Sequence, residues 1–428
     1  MDRNTILVTG ATGYIASRLI PQLLDRGYTV RALARRPHQI GPRNWSAKID
    51  IFPGDVTNPA SLAPALNGVH TAYYLIHNMS SGHGYADIEL QAARNFAQAA
   101  EEAGVKHIIY LGGLADPEQH IAPHMRSRIE TGATLRAGKV PVTEFRAGVI
   151  AGSGSISFEM IRFMTELFPI VPAPVWIQNK TQPIAVQNVI DYLLAALDNW
   201  DGHGKVFEIG GPNITTYQDL MLRYARIRGH KRSFLVLPSV PVWFMAFGIG
   251  LMTPVPRPIA HALVGGLSSD SVVIHDHAHA VYPEIKLIDF DSAAKEALTH
   301  LHPLRIERVW DDGTGRSKTL KHEGFFIAHH ETKVDAEPEK IFTAIKSMKW
   351  NEFVVDFIED NRSLLLRSKH TSVGSMWLEW RLGDHISLTY YLAPCGPLGF
   401  LYWYVLYPLH TLQLRGLLKR IIHDSVVK

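Results

Sequence analysis

The sequence contains a single cysteine, Cys395, so no disulfide bond can form within its 428 residues. Cysteine usage therefore gives no indication of an oxidising compartment. Lys and Arg total 43 against 40 Asp and Glu, a formal charge of +3. Because the chain lacks the concentrated basic stripe typical of nucleic-acid-binding proteins, we expect no nucleic-acid partner. A hydrophobic content of 46% predicts a packed protein rather than a disordered one.

Long apolar runs are also scarce. The first ten residues, MDRNTILVTG, lack the apolar core of a secretory signal. Two apolar runs, at 240–256 and 396–410, contain proline near their ends and are shorter than the ~20 residues of a spanning helix. We therefore expect a cytoplasmic protein in which both runs are buried or interfacial. A peripheral contact with the inner face of a membrane is compatible with this pattern.

A glycine-rich turn follows the first predicted strand. The strand TILVT leads into GATGYIASRLIPQLLDRG, in which the glycines precede a helical pattern. Such a turn directs backbone N–H groups and the positive end of the helix at a phosphate, while Ala16 allows the helix to pack closely on the strand. The turn alone is a weak motif, because a helix-opening turn can contain glycines by chance. We assign its residues to cofactor binding: Gly10, Thr12, Gly13, Tyr14 and Ile15.

The pattern that follows the turn strengthens this interpretation. Further strand-like segments are TVRALAR, KIDIFPGD, HTAYYLI, HIIYLG and VTEFRAG, and helical patterns cover 87–103 and 127–137. Alternating strands and helices predict an α/β fold with a doubly wound parallel sheet of the Rossmann type. We place its nucleotide-binding core at residues 1–150.

The end of the second strand indicates which dinucleotide binds. An acidic residue there would favour NAD(H), but the sequence has Arg35 and Arg36. A guanidinium group suits a 2′-phosphate, so NADP(H) is favoured over NAD(H). The alternative is that both arginines are ordinary surface charges.

The motifs TGATGYIASRL and GDVTNPASL, with this order of strands, resemble the short-chain dehydrogenase/reductase superfamily over residues 4–301. The resemblance is closest to its atypical, NmrA-like and complex-I-accessory-like branch. It implies that Asp55 and Val56 lie against the adenine. It also implies that the strand end from Leu75 to Asn78 lines the nicotinamide side, and that Gly112 contributes to the cofactor site.

Reductases of this superfamily use a Ser after the fifth strand and a Tyr-x-x-x-Lys on the next helix. Here the fifth strand ends in Gly112 and Gly113, and the Tyr and Lys positions hold His124 and Arg128. Three interpretations remain open. His124 could be a general acid, given its ordinary pKa of ~6.5, with Arg128 holding the cofactor ribose or phosphate. Both residues could only bind the cofactor, or His124 could simply open the helix. The glycine pair is expected to leave room beside the nicotinamide.

Residues 151–301 are predicted to complete the core and to form a small lobe over the substrate. Apolar residues dominate this region, which indicates either a hydrophobic substrate or the lobe's own core. His275, His277 and His279 alternate, but no cysteine or carboxylate cluster joins them. We therefore expect no metal site.

The last part of the chain has a different pattern. Residues 302–322 are polar and rich in glycine and lysine, as expected of a linker. In residues 323–428, a strand, a helix, several antiparallel strands and a final helix resemble the START/polyketide-cyclase-like helix-grip fold. They also resemble the C-terminal domain of uncharacterised bacterial reductase-like proteins. This α+β fold implies an apolar ligand between sheet and helix.

These observations predict an NADP(H)-binding atypical oxidoreductase that acts on a hydrophobic, quinone-, isoprenoid- or lipid-like compound. Two alternatives remain. One is a non-catalytic dinucleotide-binding sensor or assembly factor. The other is a lipid carrier that works through its C-terminal domain. The expected partner is a hydrophobic small molecule or lipid, and the oligomeric state is not defined by the sequence.

Overall fold

The structure is a computed structural model. It describes residues 5–40, 43–77, 84–119, 121–238, 240–253, 255, 257–305, 309–310, 321–322, 324–333, 337–383 and 385–427. Most of the predicted linker and Asn78 lie outside the described residues.

The first part of the chain alternates strands and helices. Its elements are β1 (Thr5–Thr9), α1 (Tyr14–Asp25), β2 (Thr29–Ala34), β3 (Asp50–Pro53), α2 (Ala63–Leu66), β4 (Thr71–Tyr74), α3 (Tyr85–Glu102), β5 (His107–Gly113), α4 (Pro123–Arg136) and β6 (Val142–Ala147).

The middle of the chain consists of shorter strands and further helices. They are β7 (Ile150–Ala151), α5 (Ile156–Leu167), β8 (Ile170–Pro174), β9 (Lys180–Thr181), β10 (Ile184–Ala185), α6 (Val186–Ala195), β11 (Val206–Ile209), β12 (Thr215–Thr216), α7 (Tyr217–Ile227), β13 (Ser233–Leu237), α8 (Val242–Met252), α9 (Arg257–Gly266), α10 (Ala278–Val281) and α11 (Phe290–Thr299).

Seven strands form one parallel sheet in the order β3-β2-β1-β4-β5-β6-β11. The central strands β1 and β5 are buried along their whole length, as expected where helices cover both faces. Alternate residues of β1 enter two different cores: Ile6 and Val8 face one core, and Leu7 faces the other. The strand order reverses between β1 and β4, and a Rossmann sheet binds its nucleotide at that point. The predicted Rossmann fold is thus confirmed.

The C-terminal part is an α+β arrangement. It comprises β14 (Val309–Trp310), β15 (Lys321–His322), β16 (Phe326–Lys333), α12 (Pro338–Ser347), β17 (Phe353–Glu359), β18 (Ser363–Ser368), β19 (Gly374–Leu382), β20 (His385–Pro394) and α13 (Gly396–Val427). Five of the strands form an antiparallel sheet in the order β16-β20-β19-β18-β17. Helix α13 runs for 32 residues through Pro408, so the apolar run at 396–410 and the basic segment after it form one helix. The relationship to START-like domains stays a prediction.

The lobe and the C-terminal part share one hydrophobic core. A single cluster of buried side chains includes Phe163 of α5, Phe326 of β16 and Phe400 of α13. The ring of Phe163 lies 6.1 Å from that of Phe326 and 6.1 Å from that of Phe400. The predicted boundary between residues 301 and 323 therefore separates two patterns in the sequence but not two hydrophobic cores.

A buried carboxylate joins the same two parts. Glu166 of α5 accepts hydrogen bonds from Arg228 Nε at 2.7 Å, Tyr224 Oη at 2.8 Å and the backbone N–H of Gly396 at 2.8 Å. Burial tends to raise the pKa of Glu166, but Arg228 and these hydrogen bonds lower it overall. The carboxylate is therefore ionised and holds the start of α13 against the lobe.

Both apolar runs noted in the sequence are helical, as α8 and the first half of α13. Among the described residues, no helix is long and apolar enough to cross a membrane.

Candidate functional site

The phosphate-binding turn lies between β1 and α1. Gly10 has φ +65°, and a Cβ at this position would lie 2.6 Å from the carbonyl oxygen of Leu75. The backbone N–H of Gly13 donates to the Gly10 oxygen at 2.7 Å, and α1 begins at the next residue. Gly13 has no side chain to cap the helix, so the first N–H groups of α1 face the turn. This cradle fits a dinucleotide pyrophosphate.

The three other residues predicted from the turn contribute in different ways. Thr12 is half-buried within the turn. The ring of Tyr14 is buried beneath the Arg18 guanidinium, whose carbon lies 3.9 Å from the ring centre, and Ile15 packs on the sheet core. The side chains of Tyr14 and Ile15 thus stabilise α1. Their backbone N–H groups are the parts that lie at the helix N-terminus.

The predicted adenine and ribose contacts lie at the same edge of the sheet. Arg35 and Arg36 follow β2 directly and are exposed, and β2 pairs with β1 next to the glycine turn. Asp55 Oδ1 accepts from Thr57 N at 2.9 Å, which shapes the loop after β3. Val56 in that loop is 5% exposed.

Leu75 closes the floor of the turn. Its backbone N–H donates to Thr9 Oγ1 at 3.1 Å, and Thr9 Oγ1 donates to the Tyr73 oxygen at 3.0 Å. These bonds join the ends of β1 and β4. Leu75 thus reaches the cofactor turn through its backbone, while its side chain is buried.

His124 and Arg128 lie together at the start of α4. The helix begins at Pro123, so His124 occupies its first turn, and only 7% of His124 is exposed. A Cβ at Gly266 of α9 would lie 3.0 Å from His124 Cε1, so the ring packs closely on the lobe. Both His124 and Arg128 line one cavity. The predicted pair is therefore brought together, and whether it is catalytic stays a prediction.

The protonation state of His124 differs from the expectation. Burial, and secondarily the charge of Arg128, lower the pKa of His124 to about 3. The ring is therefore neutral near pH 7, which differs from the ordinary pKa on which the general-acid interpretation was based. A neutral imidazole still offers one N–H donor and one acceptor.

The expected room beside Gly112 and Gly113 is filled. A Cβ at Gly113 would lie 2.7 Å from Met125 Cε and 3.1 Å from Arg128 Cδ. At Gly112 a Cβ would lie 3.1 Å from the Tyr110 ring and 3.5 Å from a Glu144 carboxylate oxygen. Gly113 therefore lets α4 pack close to β5, Gly112 faces Tyr110 and Glu144, and the prediction of an open space beside the two glycines was wrong.

An apolar cavity lies beyond the ends of β5 and β6 instead. Its volume is about 140 Å³, close to the roughly 150 Å³ of an engineered protein cavity that binds benzene. Residues from α5, β8, α7, α8 and α9 form most of its wall. Five of the ten methionines in the chain contribute: Met125, Met160, Met164, Met221 and Met245. Flexible methionine side chains can rearrange, so ligands larger than one ring can be accommodated.

The described lining of this cavity has a distinctive charge pattern. It contains no Asp or Glu, and Arg128 is its one Lys or Arg side chain. Tyr217 also lines it, and burial raises the pKa of that phenol to about 12. Ser271 Oγ donates to the Leu114 oxygen at 2.9 Å. The cavity thus suits an apolar ligand with an oxygen atom that can take up negative charge near Arg128.

Sequence reasoning did not identify these lobe residues as a site. Their apolar character was noted, but it equally suited a core, and the residues lie on five separate elements. The concentration of methionine between positions 160 and 252 was an available signal, because methionine is frequent at adaptable binding surfaces.

Two groups contain side chains of the type that bind metals. His275 and His277 lie in a loop with their rings stacked at 5.9 Å, and His279 lies in α10. Glu166, His230 and Cys395 have ligand atoms within 4.8 Å of one another. Arg228 already pairs with Glu166 there, and its charge opposes a cation. We therefore assign the Glu166 group to structure.

The sheet order, the glycine turn at its switch point and the helix behind it define a dinucleotide-binding α/β protein. Residues 10–137 match the family model described as NAD(P)H-binding. A photosystem II assembly factor of Cyanophora paradoxa is 26% identical over 251 residues, covering 56% of this chain and 73% of that protein. The chloroplastic divinyl chlorophyllide a 8-vinyl-reductase of Zea mays is 26% identical over 266 residues, covering 55% and 62%.

Solved structures show the same fold. The triphenylmethane reductase of Citrobacter sp. aligns with a TM-score of 0.56 at 21% identity, covering 69% of this chain and 99% of that one. An NADPH-dependent quinone oxidoreductase of Escherichia coli aligns with a TM-score of 0.56 at 19% identity, covering 68% and 99%. The first part of this chain therefore has a Rossmann-like fold, and residues 10–137 within it match the NAD(P)H-binding family model.

Proposed function

We propose that this protein is an NADP(H)-dependent oxidoreductase that reduces a hydrophobic compound of the quinone, isoprenoid or lipid class. The observation that carries the proposal is the apolar cavity lined by His124 and Arg128 at the edge of the sheet that holds the dinucleotide turn. The quinone oxidoreductase with the same fold supports a quinone as the first substrate class to test.

A bound nicotinamide supplies the hydride in this proposal. Arg128 stays protonated and stabilises the negative charge that develops on a substrate oxygen. His124 donates a hydrogen bond from its neutral ring and orients that oxygen. Since His124 holds no extra proton near pH 7, water supplies the proton that completes the reduction.

Turnover of NADPH with a panel of quinones tests the substrate site. Met164→Trp should fill the cavity and abolish turnover, whereas Met164→Leu conserves volume and should retain it. NADPH affinity, measured by calorimetry, should be the same in both variants because Met164 lies on α5, whereas the glycine turn that would hold the dinucleotide lies between β1 and α1. Equal turnover in the two variants would place the substrate elsewhere.

We also propose that Arg35 and Arg36 bind the 2′-phosphate of NADPH. A charge-assisted hydrogen bond is worth roughly 1.5–3 kcal/mol, so replacing both by Ala should weaken NADPH binding about tenfold or more. NADH affinity should change little. Arg26→Ala, an exposed arginine at the far end of α1, is the matched control. Equal losses for both dinucleotides would contradict the assignment.

A non-catalytic sensor or assembly factor is the second candidate. The observations that favour it are the missing Ser, Tyr and Lys and the neutral, buried His124. One similar protein is described as an assembly factor. Tight NADPH binding without turnover of any quinone in the panel would favour this candidate over the enzyme.

We further infer that the described part of residues 323–428 forms a helix-grip arrangement, supported by the strand order and by α13 packed on the sheet. Aromatic side chains fill the space between them: the Trp403 ring lies 5.2 Å from that of Phe326 and 6.3 Å from that of Tyr390. This packing favours a structural role over a lipid carrier. Mass spectrometry of extracts from the purified full chain tests it, and stoichiometric lipid would support the carrier.

A further inference from the structure

Helix α8 is apolar on every side although one side faces solvent. Its sequence, VWFMAFGIGLM, contains no charged or hydrogen-bonding residue apart from the Trp indole. The inner side chains Met245 and Ile249 line the apolar cavity. The outer side presents four large exposed side chains, Trp243, Phe244, Phe247 and Leu251. A helix with this composition is normally covered on all sides.

Helix α13 carries a second exposed apolar surface. Five exposed side chains follow a spacing of three and four residues: Leu398, Leu401, Val405, Leu409 and Leu412. This spacing places them in one stripe along the helix. The opposite side of α13 packs on the C-terminal sheet and on α5.

The two surfaces meet. Tyr404 of α13 donates from its hydroxyl to the Leu251 carbonyl oxygen of α8 at 3.0 Å. The exposed side chains of both helices, Tyr404 included, are each between 46% and 64% exposed. Exposed apolar surfaces that extend over several neighbouring side chains mark interaction sites.

The charged residues in the two stretches of sequence that contain α8 and most of α13 all have one sign. Arg415 and Lys419 are exposed and continue the α13 stripe three and seven residues beyond Leu412. The sequence contains no Asp or Glu between residues 220 and 269 or between 396 and 423. An isologous contact through these stretches of two copies would pair none of their basic residues with a carboxylate of the same stretches. An anionic surface complements these charges.

We propose that α8 and α13 dock on an anionic lipid bilayer. The apolar side chains enter the boundary between headgroups and acyl chains, Trp243 and Tyr404 lie at headgroup level, and Arg415 and Lys419 contact lipid phosphates. Since α8 separates this surface from the cavity, the docked protein would take its substrate from the bilayer. Uptake of substrate from the bilayer rests on the proposed function, whereas docking does not.

Flotation of the full-length protein with lipid vesicles tests the proposal. We expect binding to phosphatidylcholine vesicles that contain phosphatidylglycerol, weaker binding to phosphatidylcholine alone, and weaker binding at high salt. Trp243→Ser with Phe247→Ser should lower the partition coefficient at least about tenfold. Trp200→Ser, which removes a 63% exposed tryptophan before β11, should leave it unchanged.

Charge reversal gives an independent measurement. Arg415→Glu with Lys419→Glu should lower binding to anionic vesicles about tenfold or more, whereas Lys106→Glu with Lys205→Glu should have a smaller effect. Protein that does not float with any vesicle, or variants that bind as their controls do, would overturn the proposal. The proposal would also be overturned if light scattering showed that the protein is a dimer and that the double variant Trp243→Ser, Phe247→Ser is a monomer.

The two proposals can fail separately. Trp243 and Phe247 do not line the cavity, so NADPH affinity and turnover of a water-soluble quinone should be unchanged in that variant. Turnover without vesicle binding would reject docking alone. Vesicle binding without turnover would leave docking standing and reject the enzyme.

Discussion

Mild acid should destabilise the folded protein through His124. The pKa of this ring is about 3 in the folded chain, because it is buried and lies near Arg128. In the unfolded chain its pKa is ~6.5. Between these values the unfolded chain binds a proton on His124 that the folded chain does not bind, so stability falls as the pH falls from 6.5 towards 3.

The size of this effect follows from the two pKa values. Between pH 7 and pH 5 the contribution of His124 to the free energy of unfolding should fall by about 2 kcal/mol. The result hardly changes if the folded pKa is one unit higher, because at pH 5 the folded ring remains mostly neutral. His124→Gln, which keeps a polar side chain without titrating in this range, should remove this part of the acid sensitivity.

Histidine hydrogen–deuterium exchange, followed by mass spectrometry across a pH series, reports the His124 pKa directly. Urea unfolding followed by tryptophan fluorescence at pH 7 and pH 5 reports the energetic consequence, and His300→Gln provides an exposed control. The difference in acid sensitivity between wild type and His124→Gln is the decisive quantity, because other groups also titrate. A His124 pKa near 6.5, or equal acid sensitivity in both proteins, would refute the reasoning.

Two further substitutions test the turn and the joint between lobe and C-terminal part. Gly10→Ala should lower NADPH affinity at least about tenfold, because a Cβ would meet the Leu75 carbonyl oxygen at a φ of +65°. Gly27 has a φ of +82°, and a Cβ there would meet nothing within 4 Å, so Gly27→Ala should lower stability without changing NADPH affinity. Equal NADPH affinities of the Gly10→Ala and Gly27→Ala variants, measured by calorimetry, would contradict the role of the turn. Glu166→Gln should destabilise the protein by about 3 kcal/mol because Arg228 loses its charged partner, and Glu337→Gln, an exposed carboxylate, should not. Thermal unfolding measures the stability of both glutamine variants. Equal midpoints would show that the Glu166 carboxylate does not hold the C-terminal part against the lobe.

The Rossmann part could be predicted because its signals are local. Each central strand is a short apolar run, each helix has its own periodicity, and Gly10 and Gly13 stand at a fixed place between them. Parallel strands joined by right-handed crossovers leave few alternative arrangements, so the local pattern implies the sheet. The same logic placed His124 and Arg128 on one helix next to the cofactor edge.

The cavity could not be predicted in this way. Its wall combines side chains from five elements of the lobe with His124 and Arg128, and each is an ordinary core residue within its own segment. The low pKa of His124 could not be predicted for the same reason, because the burial that lowers it involves Gly266, more than a hundred residues away. The space beside Gly112 and Gly113 was likewise mispredicted, because Glu144 fills it at Gly112 and Met125 and Arg128 fill it at Gly113 only in the folded chain.

The amino-acid sequence by itself determined the dinucleotide turn, the parallel sheet and the absence of the Ser, Tyr and Lys residues, since these depend on residue identity and short-range spacing. Tertiary structure alone decided which apolar residues form a cavity, which form the common core of lobe and C-terminal part, and which remain on the surface of α8 and α13. An apolar side chain has no directional preference, so its role depends on what the rest of the chain packs against it.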